Sequence, residues 1–401
     1  MTAEQTPRSM RYNIVLVGCR NAGKSSLINA LTNQDVSIVS SEAGTTTDVV
    51  TKSYELLPLG PVTFFDTAGL DDASSLGEAR IKATQKALYK ADLVLLVIGE
   101  IGISDFDKTI INNLIKMNIP FVVVLNKADI IRDLSNDKAF LEQNHIVYSI
   151  TSTVSNLGVD DLKSIIVREL PAEKKESLSL LKDLVGANDC VVLVTPIDSS
   201  APKNRLILPQ VQVLREILDL RAFAVVTQVD ELNNAMLSLK NKPKIVITDS
   251  QVVDKVNKSI STDIDLTTFS ILFARFKGDL KTMVEGARKI DLLEDCDTIL
   301  IAEACSHHAQ DDDIAKVKIP NLLKKYTQKC LNFEFCTGCD FPENLEKYKL
   351  VVHCGACMIN RAEMNHRLDE CVRRGVPITN YGVAISKAQG ILDRVIKPFG
   401  L

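Results

Sequence analysis

The sequence has 401 residues, of which 46% are hydrophobic and 24% charged, an ordinary balance for a globular protein of two or three domains. Its formal net charge of -4 argues against nucleic-acid binding, which draws on phosphate neutralisation by clustered Lys and Arg. No apolar run approaches the ~20 residues of a membrane span, and residues 1–11 lack the apolar core of a signal peptide. We therefore expect a cytoplasmic protein that binds no membrane. In that reducing setting, its ten cysteines point to metal or redox chemistry.

The first predicted element is an apolar strand, Tyr12–Val17, followed at once by a phosphate-binding loop. The loop reads Gly18-Cys19-Arg20-Asn21-Ala22-Gly23-Lys24-Ser25, which is the G-x-x-x-x-G-K-S pattern, and a helical pattern follows over residues 26–31. Its glycines allow backbone N–H groups to wrap phosphates at a helix N-terminus. We expect Lys24 to reach the β- and γ-phosphates and Ser25 to bind Mg²⁺. The predicted nucleotide-binding residues here are Gly18, Asn21, Ala22, Gly23, Lys24, Ser25 and Ser26.

Two further predicted strands carry motifs that complete a GTP site. Residues 62–65 end in Asp66-Thr67-Ala68-Gly69, where Asp66 would hold Mg²⁺ through water and the Gly69 amide would sense the γ-phosphate. The strand Phe121–Leu125 ends in Asn126-Lys127-Ala128-Asp129, an N-K-x-D motif whose carboxylate can accept two hydrogen bonds from guanine. Ser152 lies where the last guanine-contacting loop belongs, on a weaker signal. These motifs predict a GTPase domain over residues 8–170.

Together these motifs resemble the translation-factor-like GTPases. The segment Gly44-Thr45-Thr46-Thr47-Asp48 is similar to switch I of the Era and MnmE-like branch, which implies that Thr46 binds Mg²⁺ and is catalytic with Lys24, Asp66 and Gly69. Asn21 stands where potassium-dependent members of that branch hold K⁺, although it could be a loop residue with no ion role. Leu70 replaces the water-orienting glutamine of Ras-like proteins. We therefore expect slow intrinsic hydrolysis that K⁺ accelerates by adding positive charge near the transition state.

The middle segment, residues 178–260, follows a charged linker and predicts a small α/β domain. Apolar strands are predicted over Cys190–Val194, Phe223–Thr227 and residues 244–248, with helical patterns over residues 211–220 and 231–239. This alternation is typical of parallel βαβ units. No second phosphate-binding loop and no Cys/His cluster occurs in the segment. An interaction or packing domain is therefore favoured. The polar loop 197–205 is either functional or a simple connection.

The C-terminal segment, residues 266–401, concentrates residues that bind metals. Eight of the ten cysteines and four of the five histidines lie between residues 296 and 371. A predicted strand over residues 298–304 precedes Cys305, another over residues 349–352 precedes His353-Cys354-Gly355-Ala356-Cys357, and a third covers residues 376–379. Carboxyl ends of parallel strands share one sheet edge, so Cys305, Cys354 and Cys357 should meet there. Three thiolates with one exchangeable ligand suit a 4Fe–4S cluster. Zinc bound by three cysteines and either His307 or His353 remains the alternative.

The spacing Cys305-x-His307 and His353-Cys354-x-x-Cys357 resembles the signature of HydF, the family of GTPases that mature FeFe-hydrogenase. The order of a GTPase, a middle α/β domain and a C-terminal cysteine-rich domain also matches that family. The resemblance implies a GTP-hydrolysing scaffold that is a homodimer through its middle domain. It implies that Cys305, Cys354 and Cys357 bind a 4Fe–4S cluster, and that the C-terminal domain carries a diiron precursor to the hydrogenase apoenzyme. Two radical-SAM maturases are the implied further partners.

Several alternatives stay open at this point. The fourth cluster ligand could be His353, His307 or the acidic run Asp311-Asp312-Asp313, and His307 and His308 could instead hydrogen-bond cluster sulfurs or cargo. Cys336-Thr337-Gly338-Cys339 has a metal and redox spacing but lies outside the signature, so structural thiols are favoured. The rival hypothesis is an Era/MnmE-like GTPase associated with RNA or ribosomes, with a zinc-stabilised C-terminal domain. The aromatic content of 5% argues against it.

Overall fold

The computed structural model describes residues 11–32, 50–67, 84, 87–130, 133–170, 179–197, 206–304, 314–338, 341–342, 344–356 and 359–401. The chain divides into two compact units, Met1–Leu178 and Ser179–Leu401. In the described ranges, no helix is both long enough and apolar enough to cross a membrane.

The N-terminal unit contains a six-stranded sheet with the order β2-β3-β1-β4-β5-β6. All neighbouring strands pair in parallel except β2 and β3. Strands β1 and β4 are buried along their whole length, as expected for parallel strands covered on both faces. The strands are β1 Tyr12–Val17, β2 Val50–Leu56, β3 Gly60–Asp66, β4 Leu93–Ile98, β5 Phe121–Leu125 and β6 Tyr148–Ile150. The helices with described bounds are α1 Lys24–Thr32, α2 Asp105–Lys116, α3 Ser135–Gln143 and α4 Val159–Glu169.

The second unit begins with a four-stranded parallel sheet of order β10-β9-β7-β8. Its strands are β7 Cys190–Val194, β8 Phe223–Thr227, β9 Ile245–Thr248 and β10 Asp265–Thr268. Its helices are α5 Leu208–Asp219, α6 Leu232–Ser238, α7 Val253–Ser259 and α8 Phe269–Lys277. The middle sheet thus includes a strand beyond residue 260, because β10 pairs in parallel with β9. Leu266 of β10 is fully buried there.

A second parallel four-stranded sheet follows, with the order β12-β11-β13-β14. Its strands are β11 Thr298–Glu303, β12 Asn332–Thr337, β13 Leu350–His353 and β14 Ile378–Asn380. The α-helices are α9 Leu280–Arg288, α10 Ile319–Thr327, α11 Arg361–Arg373, α12 Tyr381–Ala388 and α13 Leu392–Ile396. Shorter helical turns cover Lys289–Leu292, Ile314–Lys318 and Lys397–Phe399. The predicted α/β class, with sheets of parallel or mostly parallel strands, is confirmed.

The two sheets of the second unit share one hydrophobic core. It includes Val246 of the middle sheet together with Ile299 and Val351 of the C-terminal sheet. Helix α8 follows β10 directly, and its N-cap Thr268 accepts a hydrogen bond from the Ile271 amide. The C-terminal end of α8 approaches α11 so closely that a Cβ on Gly278 would lie 2.8 Å from Leu368 Cδ1. Helix α8 therefore connects the middle sheet with the part of the chain that carries Cys354.

Candidate nucleotide and metal sites

The phosphate-binding loop joins β1 to α1, and two glycines in it have no room for a side chain. Gly18 has φ +150°, and a Cβ there would lie 2.2 Å from the Val97 carbonyl oxygen. Gly23 has φ +93°, and a Cβ there would lie 2.4 Å from Asn126 Nδ2. Both positions also have backbone conformations that L side chains rarely adopt. The spacing of the two glycines is therefore a steric requirement of the loop.

Lys24, Ser25 and Asp66 lie together at the start of α1. Lys24 is only 8% exposed, and its Nζ donates to the carbonyls of Gly18 and Cys19, each at 2.9 Å. Ser25 Oγ donates to Asp66 Oδ2. Burial raises the pKa of the Asp66 carboxyl, against the opposing effects of the Ser25 hydrogen bond and the Lys24 charge. A hydroxyl and a carboxylate side by side are hard oxygen ligands, so these residues fit Mg²⁺.

Asn126 connects the phosphate loop with the predicted guanine-contacting loops. Its side chain is fully buried, its Nδ2 donates to the Ala22 carbonyl at 2.9 Å, and its Oδ1 accepts from Thr151 Oγ1 at 3.1 Å. The sequence motif identified Asn126 but gave it no partner. Thr151 was missed altogether, and its one sequence signal is its place directly after the short strand β6.

Ser152 contacts the carboxylate predicted to read guanine. Its Oγ donates to Asp129 Oδ1 at 2.5 Å, and the Ala128 amide donates to the Thr151 carbonyl at 3.0 Å. The Ser152 side chain is fully buried. The two loops are thus hydrogen-bonded to each other, which holds the Asp129 carboxylate in a fixed orientation.

At the C-terminal sheet, strands β11 and β13 bring Cys354 to the end of β11. The Cys354 amide donates to the Ala302 carbonyl at 2.8 Å, and the Ala304 amide donates to Cys354 Sγ at 3.1 Å. Ala304 immediately precedes Cys305 in the chain. An amide hydrogen bond to a cysteine sulfur is one of the interactions that tune iron–sulfur clusters, so this thiol environment fits such a group.

Several predicted residues lie outside the described residues. They are Thr46 and Gly69 of the GTPase domain, Cys305, His307, Cys357 and the acidic run of the cluster motif, and Cys339. Within the part of the chain that the structure describes, no group of three or more His, Cys, Asp or Glu residues is arranged to hold a metal ion.

His353 is fully buried, and both of its ring nitrogens have hydrogen-bond partners. Nε2 lies 2.9 Å from Arg367 Nη1, and Nδ1 lies 2.8 Å from the Cys354 carbonyl. Burial, assisted by the Arg367 charge, lowers the His353 pKa to about 3. The ring is therefore neutral, and since Arg367 can only donate, Nε2 accepts and Nδ1–H donates. With both nitrogens occupied, His353 orients the Cys354 backbone in this arrangement.

Arg367 connects the two cysteine-containing loops. Besides His353, its guanidinium donates to the Gly338 carbonyl at 2.7 Å and to Glu363 Oε1 at 2.8 Å. Cys336 pairs in register with Ala302, so the C-x-x-C segment begins at the same sheet edge as Cys354. Sequence reasoning missed Arg367 and Glu363, and their spacing of four residues on α11 was the available signal.

Burial raises the pKa of the Cys371 thiol to about 12. Cys371 lies on α11 and is fully buried in the shared core. These properties are those of a packing residue.

Comparisons with known proteins distinguish three regions of the chain. Residues 13–127 match the family model of the 50S ribosome-binding GTPase. Residues 180–278 match the hydrogen maturase F dimerization domain, and residues 281–398 match the hydrogen maturase F tetramerization domain. The last two models together account for more than half of the chain.

Individual relatives resemble the N-terminal region. The tRNA modification GTPase MnmE of Prochlorococcus marinus (strain NATL1A) is 35% identical over 172 residues, covering 42% of this chain and 36% of the relative. MnmE of Legionella pneumophila (strain Corby) is 37% identical over 158 residues, covering 38% of this chain and 33% of the relative. The chain thus spans about a third of the length of these curated relatives. A solved structure of Era from Aquifex aeolicus is 30% identical, with a TM-score of 0.35, and covers 40% of this chain and 56% of its own.

Proposed function

The chain belongs to the hydrogen maturase F family, and from that membership we propose that it is a GTP-hydrolysing scaffold that carries a 4Fe–4S cluster. Its cargo is a diiron precursor, which it delivers to the FeFe-hydrogenase apoenzyme after two radical-SAM maturases have acted. The observation that supports the cluster assignment is the hydrogen bond from the Ala304 amide to Cys354 Sγ, because Ala304 directly precedes Cys305 in the chain.

In the GTPase domain, the described residues support binding and positioning of the nucleotide. Asp129, oriented by Ser152, accepts hydrogen bonds from guanine, and the loop amides with Lys24 bind the phosphates. Ser25 and Thr46 would hold Mg²⁺, which neutralises phosphate charge when bound. Asp66 would hold Mg²⁺ through water, the Gly69 amide would sense the γ-phosphate, and water attacks in line. The products are GDP and phosphate.

We expect K⁺ to stimulate this hydrolysis. Asn21 is exposed in the phosphate loop, where it has φ +60°, and its side chain is accessible to a cation beside the phosphates. Added positive charge there would stabilise the transition state and raise turnover by about 10²-fold. GTP turnover measured in matched K⁺ and Na⁺ salts tests this, and Asn21→Ala should remove the difference. Equal rates in the two salts would contradict the assignment.

For the cluster, we propose Cys305, Cys354 and Cys357 as thiolate ligands. The fourth position is left to His307, to the run Asp311-Asp312-Asp313 or to an exchangeable ligand. His353 is the less favoured candidate because both of its ring nitrogens are hydrogen-bonded. We assign it the role of orienting Cys354. When bound, a cluster with one such site would offer an iron to which the diiron precursor can bridge.

The cluster assignment is tested with Cys354→Ala. Anaerobically purified wild-type protein should show the broad visible absorbance of an iron–sulfur cluster, and the variant should lose most of it together with the bound iron. Cys371→Ala is the matched control, because Cys371 is buried in the core and should leave the iron content unchanged. A colourless wild-type protein that holds zinc would favour the ribosome- or RNA-associated GTPase instead.

The middle sheet supports assembly into a homodimer. Strand β8 is an edge strand, and its Phe223 and Val226 are 51% and 44% exposed. We propose that two copies meet along this edge, since an exposed apolar edge strand readily pairs with another chain. Val226→Lys should then yield a smaller assembly than the wild-type protein in sedimentation analysis, and an unchanged assembly would exclude this interface.

Membership of the family also suggests the domain bounds, the cellular location and the role of GTP hydrolysis. The functional segments are residues 8–170 for GTP, 178–260 for dimerisation and 266–401 for the cluster, with β10 added to the middle sheet. The protein acts in the cytoplasm, where cluster thiols stay reduced. GTP hydrolysis gates partner binding or release, because switch segments of GTPases reorder with the γ-phosphate.

A further inference from the structure

We propose that Lys277 is a positioning residue of the cluster site, which holds the Cys354–Cys357 loop from the middle sheet and places a fixed positive charge beside its backbone. The inference rests on the cluster function proposed above. Neither the family signature nor the sequence pattern assigns this residue any role.

Lys277 makes two buried hydrogen bonds to the backbone of this loop. Lys277 is only 2% exposed, and its Nζ donates to the Ala356 carbonyl at 2.8 Å and to the Ile359 carbonyl at 2.6 Å. These two carbonyls lie on either side of Cys357 in the chain. One ammonium group is therefore hydrogen-bonded to the backbone both before and after Cys357, a proposed cluster ligand.

These hydrogen bonds hold a loop whose backbone is strained at Ala356. Ala356 is only 3% exposed and has φ +54°, a left-handed conformation that is uncommon for a residue with a Cβ and that persists when the surrounding structure holds it. Two strong charge-assisted hydrogen bonds from Lys277 constrain the segment that contains this residue. Burying an ammonium group is itself costly, so the bonds are what make this side chain tolerable in the interior.

Helix α8 supplies a rigid base for this lysine. Phe269 and Phe273 of α8 are buried against the middle sheet, and Gly278 allows the end of the helix to touch α11. The loop therefore depends on two supports. Strand β13 and helix α11 hold it from the side of the C-terminal sheet. Lys277 holds it from helix α8, which packs on the middle sheet.

A positive charge also has an electrostatic consequence for a cluster. Cysteine thiolates and iron–sulfur clusters carry negative charge, which increases when the cluster is reduced. A neighbouring ammonium group stabilises the reduced form and raises the reduction potential. Lys277 is thus expected to set the potential as well as the shape of the site.

The experiment compares Lys277→Met with wild-type protein in two states. In the cluster-free protein, Cys354 should be alkylated roughly tenfold faster in the variant, because the loop opens more easily. Peptide mass spectrometry reads out Cys354, with the buried Cys371 as the internal reference. In the reconstituted protein, iron should be lost faster to a chelator, and the cluster potential should become more negative. A purely structural role would not produce a shift that follows the charge.

Two further variants complete the design. Lys277→Arg keeps the charge and should restore the potential even where the larger side chain leaves alkylation raised. Lys318→Met removes a lysine whose Nζ donates to Gln251 Oε1 at 3.0 Å, and should change neither readout. Unchanged alkylation and an unchanged potential in Lys277→Met would overturn the inference. A wild-type protein that binds no cluster would instead refute the proposed function, and the alkylation comparison would still test Lys277.

Discussion

Lys24→Ala is expected to lower GTP turnover by about 10²–10³-fold, the usual effect of removing one preorganised donor from a site of developing charge. Lys24 lies buried at the start of α1, with Nζ held by the carbonyls of Gly18 and Cys19. From that position we expect its ammonium group to reach the β- and γ-phosphates of a nucleotide bound by the loop. Phosphate release at saturating GTP measures the effect.

The matched control is Lys116→Ala, which removes an exposed lysine from the last turn of α2. It should leave turnover within about twofold, because exposed surface charges contribute little. Turnover in Lys24→Ala equal to that of the control would show that the loop does not bind the reacting phosphate. Circular dichroism of both variants excludes unfolding as the cause of a loss.

The same variant separates hydrolysis from the scaffold role. If hydrolysis gates partner exchange, Lys24→Ala should activate hydrogenase poorly even when it carries a full complement of iron. Activation and partner affinity are measured alongside turnover. Undiminished activation at normal affinity would exclude gating and leave GTP turnover without a role in delivery.

The GTPase motifs could be predicted from sequence because their chemistry is local. Strands β1, β5 and β7 have the bounds that their apolar runs predict, since a parallel strand covered on both faces reads as an unbroken apolar segment. Strand β8 also has its predicted bounds, although it is a partly exposed edge strand. The phosphate loop was equally clear, because the G-x-x-x-x-G-K-S spacing and the positive φ of both glycines are features of adjacent residues. In such segments, the types and spacing of a few adjacent residues are enough to predict the local structure.

The residues that hold the Cys354–Cys357 loop could not be predicted, because they act through contacts between residues that are distant in the sequence. Lys277 is 79 residues from Ala356, and a lysine in the last turn of a helix ordinarily indicates a solvated end that favours the helix dipole. Glu363 and Arg367 are spaced like an exposed ion pair on a helix surface. Ser152 gave a weak signal for the same reason, because its partner Asp129 is 23 residues away.

Arg367→Met is expected to destabilise the C-terminal sheet by about 3–5 kcal/mol, because it leaves the carboxylate of Glu363 buried without its charged partner. The side chains of Arg367 and Glu363 are only 4% and 7% exposed, so water cannot replace the lost bond. The same change removes the donors to His353 Nε2 and the Gly338 carbonyl. The chain has no tryptophan, so unfolding in denaturant is followed by circular dichroism, with hydrogen exchange of residues 361–373 identifying the affected unit.

The control is Arg373→Met on the same helix, where the arginine side chain is 71% exposed and pairs with Glu370. This exposed pair should contribute at most about 1 kcal/mol to the free energy of unfolding. The two variants remove the same chemical group, and the ion pairs that they break differ in burial. The double variant Arg367→Met/Glu363→Gln should recover part of the lost stability, because no buried charge is then left unpaired. Equal destabilisation by Arg367→Met and Arg373→Met would mean that the buried pair contributes no more than a surface one. In that case, the β13 backbone, the Ala304 amide and Lys277 would hold this part of the chain without a large contribution from the buried ion pair.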